Sequence, residues 1–270
     1  MKPAPFDYVR AGSLAEAHDV LAAEGSDAAI LAGGQSLVPL LSMRMARPKV
    51  LIDIIHVGEL GGLRVEDDAI HVGACVRQAE LLAWPDLAKQ PLLAQVLPWI
   101  GHWQTRARGT VCGSVALADP SAELPLVLVA LGGEIVLSSK IGRRSLPAND
   151  FFTGLMSTAR RDDELIEAVA FPCRRPEEGF AFREFARRHG DFAIVACAAI
   201  ATKDSARLAV GGVADRPVLR EFADASDDAL AAFAEELAAR DDLHATAEFR
   251  RNLVRRFGRI TIDEARKCRA

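Results

Sequence analysis

Apolar positions along this chain switch between a helical period and short continuous runs, and the switches mark its predicted elements. Ser13-Leu14-Ala15-Glu16 is a capping box, because the Ser oxygen and the Glu carboxylate satisfy the first free N–H groups of a helix. That helix is predicted to run to about Glu24 and to end at Gly25. Ala28 to Leu31 reads as a buried strand, Gly33-Gly34 breaks it, and helical spacing resumes from Leu37 to Met45 before Pro48. Val50 to Ile54 is the next strand. Helix, strand, Gly-Gly turn, helix, strand is the order of an α/β unit, here residues 1–55.

Leu63–Glu66 and Ile70–Gly73 flank Asp67-Asp68, the pattern of a tight hairpin. Helical patterns follow at Gln78–Leu82 and Leu92–Ile100. The stretch from Gly101 to Asp119 holds neither period and is predicted to be a long loop of the kind that carries function. Leu124–Leu131 reads as a helix, and Glu134–Ser138 and Leu165–Phe171 as strands. Two prolines and four charges in Pro172–Gly179 interrupt the apolar pattern and set a boundary, giving a second segment 56–174 and a third 175–270. In the third, Phe180–Phe185, Ile194–Ala201 and Arg207–Val213 read as strands, and Ala225–Arg240 and Ala245–Arg256 as helices.

Composition narrows the classes. Of 270 residues, 33 are Lys or Arg and 37 Asp or Glu, a net charge of -4, so no overall positive field exists to hold a nucleic acid. Cys75, Cys112, Cys173, Cys197 and Cys268 are scattered with no C-x-x-C pair, which argues against a disulfide framework, a zinc site or an iron–sulfur cluster on this chain. No signal-like start and no window of about 18 uncharged apolar residues occurs, so a cytoplasmic setting is expected and no transmembrane segment.

Two loops carry candidate chemistry. In Ala32-Gly33-Gly34-Gln35-Ser36 the glycines remove Cβ atoms that would keep a ligand off the backbone, and N–H groups at the helix start can point at a phosphate. Gly109-Thr110-Val111-Cys112-Gly113-Ser114 adds hydroxyl donors, and the carboxylates of Asp119-Pro120-Ser121-Ala122-Glu123 can accept from sugar hydroxyls. Each loop also reads simply as a strand-to-helix turn or a capped helix start, and on the residues alone both readings stand.

Taken together the two loops, with Asp150-Phe151-Phe152 and Gly190-Asp191-Phe192-Ala193, resemble the FAD-binding medium subunit of molybdenum hydroxylases. That family includes carbon monoxide dehydrogenase, nicotine-type dehydrogenases and the flavin portion of xanthine dehydrogenase. The resemblance implies an α+β chain with the two-subdomain FAD-binding fold of the vanillyl-alcohol-oxidase (PCMH) type plus a smaller C-terminal α+β domain. It implies that Ala32, Gly33, Gly34, Gln35 and Ser36 wrap the pyrophosphate on one side and Thr110, Cys112, Gly113 and Ser114 on the other. Glu123 is implied to bind a sugar or ribityl hydroxyl, Ile100 and Ile166 to clasp the adenine, Arg183 to contact the cofactor, and Phe192 to lie near the flavin ring.

Two departures stand out. Cys112 replaces the first of a glycine pair, where a positive φ would be uncomfortable for it, and Phe192 replaces a Tyr of several relatives. The implied function is an oxidoreductase subunit passing electrons from 2Fe-2S clusters on a partner to a terminal acceptor. Molybdopterin is expected on a large subunit and the 2Fe-2S clusters on a small one, in a dimer of heterotrimers. A self-contained flavin oxidase of the same fold and a non-catalytic nucleotide-binding protein are the alternatives. The oxidase would need its own base, for which only His102 and His189 offer themselves; a loop hydrogen-bonding role is the plainer reading of both. Arg251, Arg255 and Arg259 share one helical stripe, read as a solvated face or as docking area for a partner.

Overall fold

The computed structural model describes residues 2–269. The chain opens with β1 (Asp7–Arg10), α1 (Leu14–Glu24), β2 (Ala28–Leu31), α2 (Leu37–Ser42) and β3 (Val50–Asp53), whose strands form a parallel sheet in the order β1-β3-β2. The Ser half of the expected capping box forms, the Glu16 N–H donating to Ser13 Oγ at 3.2 Å, whereas the Glu16 carboxylate takes the Gly12 N–H at 2.8 Å instead of that of Ser13. Ala17 and Leu21 are the buried stripe of α1.

A hairpin follows, β4 (Leu63–Glu66) and β5 (Ala69–Gly73), with Asp67 and Asp68 both left-handed at φ 50° and 54°. That pair of angles is the turn whose twist matches a tight hairpin, and Asp tolerates it. After α3 (Gln78–Ala83) and α4 (Pro91–Val96) comes the first correction. The Gly101–Asp119 stretch is not a continuous loop, since it holds α5 (Trp103–Arg106) and α6 (Val111–Leu117). Helices this short show too little periodicity to read, and α6 depends on its cap, the Gly113 N–H donating to Thr110 Oγ1 at 3.1 Å.

Next in the chain are α7 (Glu123–Leu131), β6 (Glu134–Ser139), β7 (Gly142–Pro147), α8 (Ala148–Phe151), β8 (Phe152–Gly154), β9 (Ser157–Thr158) and β10 (Leu165–Pro172). The larger sheet runs β4-β5-β10-β6-β7, all antiparallel. β7 was not predicted because this edge strand is mostly polar, and its ion pairs hold it. Arg144 grips the buried Glu164 through Nε at 2.6 Å and Nη2 at 2.8 Å. Although burial opposes its charge, that pair and the Arg161 N–H hold the Glu164 carboxyl below the usual range. Every residue of α7 is buried and all but Glu123 are apolar, so the helix serves as the central rod of the first core.

The third segment is the meander β11 (Gly179–Phe185), β12 (Val195–Ala201), β13 (Ala206–Gly211) and β14 (Val218–Phe222), followed by α9 (Asp227–Glu236) and α10 (Ala247–Lys267). Helices cover both faces of this sheet, α7 and α4 on one and α10 and α9 on the other. All seven residues of β12 are accordingly buried. α10 extends well past the predicted Arg256, through Gly258 and the β-branched Ile260, Thr261 and Ile262, because packing on β12 and β11 outweighs their poor helix propensity. The arginine stripe does not stand free. Arg251 and Arg255 pair with Glu235 and Arg259 pairs with Asp227, tying α10 to α9.

Candidate functional site

The two glycine loops meet across one open cavity of about 520 Å³, a size suited to a small-molecule or cofactor site. The first loop leaves β2 and enters α2; the second leaves α5 and enters α6. They are pressed together at Gly33, where an added Cβ would stand 2.2 Å from the Arg108 carbonyl oxygen and 2.8 Å from Gly109 Cα. Gly33 is therefore required by loop-to-loop contact before any ligand arrives. A third segment joins them at Gly190, φ +89°, where a Cβ would come within 2.9 Å of the Gly101 carbonyl. This brings Asp191 and Phe192 to the cavity from the C-terminal segment.

The residues that the resemblance implies as cofactor-binding all line this cavity except Arg183. Arg183 is the second correction: its guanidinium forms a two-pronged pair with Glu264 of α10, one arm through Nε at 2.9 Å, on the face of β11 turned away from the cavity. The backbone of Cys112 is the third. It lies in the first turn of α6 and is not among the residues with positive φ, so no strain attends the replaced glycine. Its thiol is buried, 3.5 Å from the Val72 carbonyl, and burial pushes its pKa up, which makes it an inert packing group. His102 and His189 do not line the cavity, and His189 stacks on Trp99 with ring centroids 5.1 Å apart.

The cavity is apolar at Ile100 and Ile166, both buried, and its polar lining includes Glu123, Gln78 and Arg160. Glu123 opens α7 and is only 4% exposed; no side chain of the described residues donates to it. Burial chiefly, with the charge of Asp119 adding, pushes its carboxyl up to about 7. Gln78 is equally buried, its N–H donates to the Gly109 carbonyl at 2.9 Å, and its side-chain Oε1 has no partner. Arg160 is the only cation on the lining among the described residues, anchored by Nη1 to the carbonyls of Arg161 and Glu164 at 2.8 and 2.7 Å. Neither Gln78 nor Arg160 sits in a recognisable motif, so no local pattern points to them. An acceptor without a donor, glycine-opened backbone, apolar walls and one cation fit a dinucleotide, which brings sugar hydroxyls, phosphates and an aromatic base.

Fold and cavity thus define an α+β protein with a cofactor-sized site between two glycine loops. Residues 4–174 match the family model described as the FAD binding domain in molybdopterin dehydrogenase. The 6-hydroxypseudooxynicotine dehydrogenase complex subunit alpha of Paenarthrobacter nicotinovorans is 44% identical over 205 residues, covering 76% of this chain and 69% of that one. The nicotine 6-hydroxylase medium subunit of the same organism is 37% identical over 284 residues, covering 98% and 99%. Among solved structures, a carbon monoxide dehydrogenase from Hydrogenophaga pseudoflava superposes with a TM-score of 0.92 at 29% identity and full coverage of both chains. The chain belongs to the family of FAD-binding medium subunits of molybdenum hydroxylases, and is an oxidoreductase subunit.

Proposed function

We propose that this chain carries FAD in the cavity and serves as the electron-transfer subunit of its hydroxylase, beside a large molybdopterin subunit and a small subunit with 2Fe-2S clusters. When bound, the flavin supplies the redox chemistry, taking electrons from the iron–sulfur relay and giving them to a terminal acceptor. The protein's part is to bind and orient. The backbone of Ala32–Ser36 and of Thr110–Ser114 lies against the pyrophosphate, and Arg160 offers the cavity's cation to the dinucleotide's negative charge. Glu123 accepts from a ribose or ribityl hydroxyl, Ile100 and Ile166 hold the adenine, and Phe192 borders the flavin ring. Arg183 has no part in this, being committed to Glu264.

The observation that carries the reading is the buried Glu123 carboxylate, without a side-chain donor, on a cavity framed by two glycine loops. A self-contained oxidase is disfavoured because neither His102 nor His189 reaches the cavity. Trp103, on the helix whose Thr105 lines the cavity, and Phe192 are 68% and 57% exposed, two aromatics free to meet a partner subunit. Assembly as a dimer of heterotrimers, in the reducing cytoplasm that suits five free thiols, completes the proposal.

The purified chain is expected to be yellow and to release all its flavin on acid precipitation, since no His or Cys in the cavity is placed as a covalent attachment point other than the inert Cys112. A colourless protein that takes up no FAD, or flavin retained in the pellet, refutes this. Glu123→Ala is expected to weaken FAD binding by about 1–3 kcal/mol, the worth of a charge-assisted hydrogen bond, as read by flavin fluorescence titration. An unchanged dissociation constant removes Glu123 from the site.

A further inference from the structure

The rim of the cavity carries a charge that the function above does not use. Contact brings three segments together there. A Cβ on Gly190 would stand 2.9 Å from both the Gly101 carbonyl and His102 Cε1, the His189 ring stacks on Trp99, and the Arg108 carbonyl presses on Gly33 of the first loop. Gly33, Gly101, Gly109 and Gly190 all line the cavity, so Arg108, Arg187 and Arg188 each stand within three residues of its lining. All three arginines are exposed.

None of the three lines the cavity, where Arg160 supplies the cation, and none joins an ion pair among the described residues. The chain around them adds no offsetting charge, because residues 28–52, 90–118 and 185–190 contain no Asp or Glu. Of the carboxylates close by in the chain, Asp191 belongs to the cavity lining and both oxygens of Glu184 are buried. The result is a positive rim on a protein whose net charge is -4.

We propose that this rim, at Arg108, Arg187 and Arg188, is the docking surface for the terminal electron acceptor, and that the acceptor is a single-electron carrier protein with an acidic face. This rests on the assignment of the cavity to FAD. Phe192, which borders the flavin ring in the proposed pose, follows Arg188 by four residues, so a carrier seated on the arginines stands beside the group that it must oxidise. Two carrier molecules each take one electron from the two-electron-reduced flavin, and the protons released pass to solvent. Charge selects the partner, since opposite potentials raise the rate of encounter by about ten- to a thousandfold without a large apolar contact. A permanent subunit would instead cover mainly apolar area. A free nucleotide acceptor would need a cavity of its own, and the second cavity, about 370 Å³ between β8 and α9, shares no lining residue with the first.

The test is stopped-flow reoxidation of the photoreduced, assembled hydroxylase by two protein oxidants of opposite charge, acidic plant plastocyanin and basic mitochondrial cytochrome c, at ionic strengths from about 10 to 300 mM. The rate with plastocyanin is expected to fall about tenfold as salt is raised, while that with cytochrome c does not fall. Replacing both Arg187→Glu and Arg188→Glu is expected to cost about tenfold with plastocyanin at low salt, with FAD content unchanged, and Arg187→Lys with Arg188→Lys to keep the wild-type rate. A plastocyanin rate indifferent to salt, or unmoved by the charge reversal, overturns the proposal. So does loss of FAD from the reversed variant, which would give the rim to the cofactor, or its failure to assemble, which would give the rim to a permanent interface. Nitrogen-15 NMR shifts of plastocyanin on addition of the chain, expected at its acidic face and lost with the reversed variant, read the docking without flavin, and their absence overturns it. Should the chain take up no FAD, the cofactor assignment falls, and these shifts alone decide the surface.

Discussion

Gly33→Ala is expected to lose FAD retention and to destabilise the apoprotein as well, by about 1–3 kcal/mol, the usual cost of forcing a carbon into a packed space. The single added Cβ would overlap the Arg108 carbonyl at 2.2 Å and crowd Gly109, and both are main-chain atoms that cannot rotate away. The first loop must then lift off the second, which widens the cradle in which Ala32–Ser36 and Thr110–Ser114 oppose each other. Urea unfolding of the apoprotein separates this from a direct clash with ligand. If the variant lost FAD but unfolded at the wild-type midpoint, Gly33 would be making room for the cofactor rather than for Arg108. If it retained FAD with a wild-type dissociation constant, the loop contact would have no bearing on the site.

The contrast shows what was legible in the sequence. The glycines of Ala32–Ser36 could be read as a place where backbone is approached closely, yet what approaches Gly33 is another loop 75 positions along, invisible to local pattern. The Asp67-Asp68 hairpin and the Ser13 helix cap were readable because each is closed by near neighbours. α5 and α6 were not, since four and seven residues give too few turns for a period to show. The misplacement of Arg183 has a similar origin. β11 is covered on both faces, so its alternation, Phe180, Phe182 and Glu184 against Ala181, Arg183 and Phe185, does not say which face turns towards the cavity. The motif-bearing lining residues came through the resemblance, whereas Gln78 and Arg160 reach the cavity only by tertiary placement.

The isolated chain is expected to accept electrons from a chemical reductant once loaded with FAD, yet to show no turnover with aldehydes, N-heterocycles or other hydroxylase substrates. Activity is expected only on addition of the molybdenum and iron–sulfur partners, an all-or-none difference. Among the described residues no group of three or more His, Cys, Asp and Glu side chains is placed to hold a metal ion. The thiols of Cys75 and Cys197 are buried, with pKa values pushed up to about 12 by that burial, and so are not poised as thiolate ligands. Nor does the cavity offer a base for direct attack on a substrate. Its carboxylates are Glu123, committed to sugar hydroxyls in the proposed pose, and Asp191 on the same segment as Phe192, while both candidate histidines lie outside. In the Arg251, Arg255 and Arg259 stripe, Glu235 and Asp227 of the same chain offset two of the three positive charges. Steady-state assays of the lone subunit against the reconstituted assembly, with flavin absorbance followed in parallel, test this directly. Substrate-dependent bleaching of the flavin in the lone chain would transfer the case to a self-contained oxidase.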